Sequence, residues 1–290
     1  MSATLNKRPA RTGHERRRTL SAALGWAACA LALVLVIGPL LDIVYVVAAR
    51  GLQAFSISLF TTVTNGTGGG LLNAITGTII LSLGALVVAV PVGVGAGIYL
   101  SEYGTNRLGG GIRFLSDVLT GTPSIVLGYF SYIVFVTWLG WDFSVLAGSI
   151  TLAILIVPYL ARITELALRQ VPNNMREAGF ALGAREPTVV FKIVLPGAAS
   201  GVLTGVLLAL AISVGETAPL IYTAGWSNYQ WNGRFTNSPI GYLTYVIWSF
   251  INEPSDAAHA LAFAAALIVM LVVLAINIGV RLVVRRRKFT

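Results

Sequence analysis

The sequence predicts an all-α, polytopic membrane protein with six transmembrane helices, and three observations lead there. Of 290 residues, 56% are apolar and only 11% charged, whereas about a quarter of a soluble domain is charged. The apolar residues fall into runs of roughly 20 or more, the length an α-helix needs to cross a bilayer. Eighteen of the twenty lysines and arginines stand in segments that six alternating spans bring to one side, the asymmetry that marks the cytoplasmic face.

Residues 1–19 form a basic, polar tail carrying Lys7, Arg8, Arg11, Arg16, Arg17 and Arg18. The apolar run from about Leu20 to Ala49 is far longer than a signal peptide's core and reads as span one, with Asp42 near its outer end. A stretch rich in Thr, Gly and Asn then ends in Gly68-Gly69-Gly70, so residues 20–70 comprise the first span and an external segment. Residues 71–284 hold the other five spans.

Span two runs from about Leu71 to Leu100, with Pro91 as a kink. Near its end, Gly93 and Gly97 let another helix approach closely. The glycine run around them lacks the Lys and Ser/Thr of a phosphate-binding loop. Glu102–Asp117 reads as a polar connector with Arg107 and Arg113. Spans three (about Ser124–Leu139) and four (about Ser144–Leu160) join at Gly140-Trp141-Asp142. A polar loop covers about 162–196, span five Gly197 to about Thr223, and span six His259 to about Val284. Between the last two lies the external segment 224–258, whose aromatic residues suit both an interfacial belt and a docking surface. A basic tail, 285–290, closes the chain. With both termini and the 162–196 loop on the basic side, all three are expected in the cytoplasm.

Composition excludes several functions. Cys29 is the only cysteine, and His14 and His259 are the only histidines, so no disulfide framework, metal centre or histidine-based catalytic site is expected. The pI near 10.1 does not indicate nucleic acid, because the basic residues flank spans instead of forming an aromatic-interleaved patch. No Gly-x-x-x-x-Gly-Lys-Ser/Thr pattern is present, so no nucleotide is held by this chain.

The loop has its own architecture. Asn174 can cap a short helix, with Glu177 as reciprocal partner in a capping box. Met175, Ala178, Ala181 and Leu182 would lie to one side and Arg176 and Glu177 to the other. Gly183 can end the helix in the left-handed conformation, and Pro187 can begin another. The result is a rigid protruding knob. Its spacing resembles the signature of bacterial ABC importer permeases: Glu177, Ala178, Gly183, Ile193, Leu195 and Pro196 match, and Gly179 replaces the signature's second alanine. The resemblance implies a type I ABC importer permease fold. It also implies that the knob from Asn174 through Pro196 couples to a separate ATPase, which would bind ATP and magnesium.

Span five carries Gly197, Gly201, Gly205, Ala209, Ser213 and Thr217 at four-residue spacing, a stripe suited to close helix crossing, expected at a subunit interface. Beyond it comes Gly215-Glu216-Thr217-Ala218-Pro219. A carboxylate inside a span faces a cavity or a partner, and Pro219 can open the helix beside it. This block, with Gly121-Thr122-Pro123-Ser124-Ile125-Val126-Leu127-Gly128 and Ala96-Gly97-Ile98-Tyr99-Leu100-Ser101-Glu102-Tyr103, resembles the PstA-type permeases of phosphate-specific ABC importers over about residues 70–282. The resemblance implies a non-catalytic subunit working with a PstC-type permease, a dimer of PstB-type ATPases and an external PstS-type phosphate-binding protein. The family often has an arginine three residues before the Gly-Glu-Thr block, where this chain has Ile212, so the positive charge would come from the partner permease.

Thr122, Ser124, Ser213, Glu216 and Thr217 are the polar groups left for a substrate pathway. Hydroxyls can donate to phosphate oxygens, and Glu216 can accept from a protonated phosphate; hydroxyls bonding their own backbone one turn back are the alternative. Importers of another oxyanion, sulfate or molybdate, would use similar groups. A stand-alone secondary transporter would be expected to show an inverted repeat or coupled buried acids, and neither is evident.

Overall fold

The computed structural model describes residues 13–287 and divides the chain after Ala49. Helix α1 (Gly13–Gln53) begins before that division and ends just after it. Its large apolar residues from Leu24 to Tyr45 are exposed on every side, as suits a helix surrounded by lipid. The basic tail expected over 1–19 is helical from Gly13, and its earlier part lies outside the described residues.

In the second unit, a turn of helix, α2 (Ser58–Thr61), leads into a two-residue antiparallel hairpin, β1 (Thr64–Asn65) and β2 (Gly68–Gly69), turned at Gly66 with φ +58°. Buried Asn73 holds the hairpin. Its Oδ1 accepts from the Thr64 amide and hydroxyl, both at 3.0 Å, and its Nδ2 donates to the Ser227 carbonyl at 2.9 Å. Helix α3 (Leu72–Glu102) follows and runs on through Pro91.

α3 packs along α6 (Val145–Arg169), and α6 in turn along α9 (Leu195–Gly215). Glycines set both approaches. A Cβ on Gly93 would stand 2.9 Å from Leu160 Cβ, and one on Gly97 2.7 Å from the Ala161 carbonyl oxygen. On α9, a Cβ on Gly201 would meet Ala167 Cβ at 2.6 Å and one on Gly205 would meet Ile163 at 2.8 Å, while one on Gly197 would lie 3.5 Å from Val171. Gly197, Gly201 and Gly205, the first half of the small-residue stripe of span five, thus face this chain's own α6.

Several boundaries differ from expectation. The 102–117 connector is largely helix: α4 (Arg107–Gly121) starts at Asn106, whose Oδ1 accepts from the Gly109 amide at 2.9 Å. Thr122 is extended ahead of Pro123, as a pre-proline residue must be. The chain then bends by 101° into α5 (Ser124–Ser131) and its π-helical continuation to Trp138. α6 runs nine residues past Leu160, since Arg162, Glu165 and Arg169 satisfy one another on the helix. Counting the bent pair as one, six spans among the described residues are long and apolar enough to cross a membrane. The last helix, α12 (Asp256–Arg287), extends into the basic tail expected over 285–290, and residues beyond Arg287 lie outside the described residues.

Candidate functional site

Two polar features interrupt the apolar bundle: the knob between α6 and α9, and a break at the far end of α9. The knob is built on α7 (Asn173–Ala181), α8 (Glu186–Val189) and a π-helical turn, Val190–Val194, that runs directly into α9. α7 begins after Pro172, with no side-chain cap. Asn174 and Glu177 therefore form no capping box, because the N-cap position is Pro172, two residues earlier, and the proline presets the entry.

The C-terminus of α7 is closed by backbone alone. Gly183, at φ +77°, donates to the Phe180 carbonyl at 2.9 Å, and Ala184 donates to Gly179 at 3.1 Å. These are the paired bonds of a Schellman motif. Gly179 is buried at the contact between α7 and the π-helical turn: a Cβ there would lie 2.7 Å from Ile193 Cδ1. The two halves of the loop signature therefore touch at Gly179 and Ile193. Leu195 joins Val189, Val194 and Leu168 in the small core beneath, while Pro196 is exposed.

Arg176 and Glu177, expected on one side of α7, separate. Arg176 turns inward, donating to the Val171 carbonyl at 2.6 Å, to Leu168 at 2.9 Å and through two nitrogens to Glu102 at 3.1 and 3.3 Å. It caps the last carbonyls of α6 and ties them to the end of α3. Glu177 points outward with Asn174, Met175, Ala178, Phe180 and Leu182, all exposed. The exposed face of α7 is an apolar patch carrying one carboxylate, held rigidly.

A second ionic cluster lies alongside. Glu165 is fully buried; its carboxylate accepts from Arg113 Nε at 2.8 Å and Arg162 Nη1 at 3.0 Å, and pairs in charge with Arg169 Nη2 2.7 Å away. Arg113 also donates to the Leu100 and Gly104 carbonyls at the end of α3. Sequence reasoning missed Glu102, Glu165 and their arginines as a framework. The pattern Arg162-x-x-Glu165-x-x-x-Arg169 was the available signal, since residues three and four apart share a helix face.

At the other end of α9 the helix stops at Gly215, and α10 (Ala218–Thr223) resumes after Glu216 and Thr217. The expected uninterrupted span to Thr223 is in fact broken: Glu216 is extended at φ −72°, ψ 137°, and its carbonyl accepts the Thr244 hydroxyl at 2.7 Å. α10 is held against α5, where a Cβ on Gly128 would stand 2.5 Å from Pro219 Cα. That contact brings two of the sequence blocks together and sets the Glu216 carboxylate beside the Ser124 hydroxyl. Glu216, Thr217 and Ser124 are half-buried at one surface, flanked by exposed Gly121, Gly215 and Ile125.

The other two candidates are placed differently. The Thr122 hydroxyl donates to the Val118 carbonyl at 2.8 Å, one turn back in α4. Ser213 is buried behind the break, in a narrow crevice with no room for water that it shares with Ser82 and Tyr242. The hydroxyls of Ser82, Ser213 and Tyr242 have no hydrogen-bond partner.

In the 224–258 segment, α11 (Leu243–Phe250) packs on α12. Trp226 stacks on Tyr245 at 4.6 Å, and Tyr242 is buried. Tyr229, Phe235 and Trp248 remain exposed.

The family described as "binding-protein-dependent transport system inner membrane component" matches residues 89–289. The chain is 46% identical over 272 residues to the phosphate transport system permease protein PstA 2 of Mycobacterium tuberculosis (strain CDC 1551 / Oshkosh), covering 93% of this chain and 90% of that one. It is 42% identical over 253 residues to the phosphate transport system permease protein PstA of Yersinia pestis, covering 86% and 85%. Among solved structures, an inward-facing MetNI methionine ABC transporter chain superimposes with a TM-score of 0.59 at 20% identity, covering 75% of this chain and 94% of that one. The fold is shared at that distance.

Proposed function

The chain belongs to the family of binding-protein-dependent transport system inner membrane components, and from that premise we propose that it is the PstA-type half of a permease that imports inorganic phosphate. It is a multi-pass membrane subunit of a multi-component importer. The observation that carries the substrate reading is the break in α9, which sets Glu216 beside Ser124 on a half-exposed surface. Ser124 and Thr217 donate to phosphate oxygens as the ion passes, and Glu216 accepts from the P–OH of protonated phosphate. Sulfate has no such proton at neutral pH, so the same contact discriminates between the two. Ile212 leaves this half without a cation, and the PstC-type partner permease supplies it.

The knob faces the cytoplasm together with both termini, where most of the basic residues lie. There Met175, Glu177, Ala178, Phe180 and Leu182 dock on a PstB-type ATPase dimer, which binds ATP and magnesium. The external aromatic segment receives a PstS-type phosphate-binding protein. ATP binding and hydrolysis shift the permease between outward- and inward-facing states through contacts that differ between them.

Labelled phosphate uptake with competing sulfate, in cells carrying Glu216→Gln, tests the substrate reading. Loss of uptake or of discrimination is expected, and full retention of both overturns it. Gly183→Pro with a pull-down of the ATPase tests coupling. Loss of both uptake and ATPase retention is expected, and normal uptake with no ATPase bound to either form overturns it.

A further inference from the structure

Glu165 gathers three arginines around one carboxylate. Arg113 is spent within the fold, since its Nε, Nη1 and Nη2 all have partners on Glu165, Gly104 and Leu100. Arg162 and Arg169 are different: each places a single nitrogen on Glu165, at 3.0 and 2.7 Å, and their side chains are 48% and 54% exposed. Both guanidinium groups touch the same carboxylate, so they stand within reach of one further anion, and each keeps unused N–H donors for it. Among the described residues Glu165 is the only carboxylate within ion-pairing distance of any of the three. The cluster therefore carries two surplus positive charges.

The surroundings narrow the anion. Tyr159, Arg162, Leu166 and Arg169 follow one stripe of α6 by their spacing, and Tyr159 and Leu166 are exposed. Neighbouring α4 exposes Phe114, Leu115 and Val118. Tyrosine and arginine mixed with apolar side chains at the end of a span is the pattern of a bilayer interface, and paired guanidinium groups match phosphate oxygens in geometry as well as charge.

We propose that Arg162 and Arg169, held in place by Glu165, form a phosphate-binding site at the loop end of α6, separate from the broken helix at Glu216. The phosphate is either the headgroup of an anionic phospholipid or free inorganic phosphate. Glu165 acts as a positioning residue, keeping both guanidinium groups turned toward one point at the interface.

The test is phenylglyoxal modification of the intact complex in phosphatidylcholine nanodiscs, read residue by residue by peptide mass spectrometry. Exposed Arg185 on the knob serves as the internal reference. Several-fold slower labelling of Arg162 and Arg169, but not of Arg185, when phosphatidylglycerol is included assigns the site to a lipid headgroup. The same protection by inorganic phosphate in phosphatidylcholine alone assigns it to the free ion. Protection by neither, or equal protection of Arg185, overturns the proposal. Glu165→Gln supplies the second arm: it should abolish the protection while Arg162 and Arg169 still react, and undiminished protection in that variant would remove Glu165 from the site.

Discussion

Arg176 on the knob and Glu102 at the end of α3, 74 positions apart, form a two-point ion pair at 3.1 and 3.3 Å. The same guanidinium also caps the Leu168 and Val171 carbonyls. One side chain thus joins the knob to the ends of two spans, so a displacement of α7 is carried into α3 and α6 together.

Removing Arg176 should therefore cost more than an ion pair. Arg176→Ala strands Glu102 and two helix-end carbonyls, and about 2–3 kcal/mol of stability should be lost. The charge swap Arg176→Glu with Glu102→Arg should fail to restore it, because a glutamate at 176 cannot donate to the Leu168 and Val171 carbonyls. Thermal unfolding of the purified complex, run as a double-mutant cycle, measures this. Full rescue by the swap would reduce the contact to simple charge attraction.

Gly179 stands where the importer-permease signature that the loop resembles would place its second alanine. A Cβ there would meet Ile193 Cδ1 at 2.7 Å and Val189 Cγ2 at 3.1 Å. The closer atom ends a flexible side chain that can change rotamer. Gly179→Ala should then be tolerated, shifting stability by less than about 1 kcal/mol, because Ile193 yields and a helical glycine is itself unfavourable by a similar amount. Gly179→Leu should separate α7 from the π-helical turn, lowering uptake and ATPase retention together. The pair is checked by uptake and by pull-down from the same membranes.

The spans were legible because apolar length is read directly from sequence, and the knob was legible because Gly183 and Pro187 carry their conformations with them. The framework between them was not. Arg162, Glu165 and Arg169 read as loop because charges ordinarily leave the membrane, yet at these spacings they satisfy one another and α6 continues. Arg113 and Arg176 find their acids 52 and 74 positions away, and no local pattern announces such partners. The break after Gly215 was half visible: Pro219 marked a weak point, but the extended Glu216 depends on α10 seating against α5.

That seating gives a prediction at Gly128. A Cβ would stand 2.5 Å from Pro219 Cα, a backbone atom that has no rotamer through which to escape. Gly128→Ala should push α10 from α5, costing about 1–3 kcal/mol as overpacking does, and should draw Glu216 away from Ser124. Phosphate uptake should fall although neither polar residue has been altered. Normal uptake in a folded Gly128→Ala variant would show that the Glu216–Ser124 placement is not required.

Behind the same break, Tyr242 is 1% exposed and its hydroxyl has no partner, nor do those of Ser82 and Ser213 in the same narrow crevice. A buried hydroxyl that makes no hydrogen bond forfeits its solvation, a penalty of about 1–3 kcal/mol. Tyr242→Phe keeps the ring against Tyr245, whose centroid lies 5.7 Å away, and removes only the unmatched oxygen. The variant should be at least as stable as the parent, and its thermal midpoint should rise if the penalty is fully present. The double variant Tyr242→Phe, Ser82→Ala should rise further, since a second unmatched hydroxyl is removed from the same crevice. A marked drop in midpoint for Tyr242→Phe would mean that the hydroxyl is bonded in the membrane, through water or through a different arrangement of the α9 break.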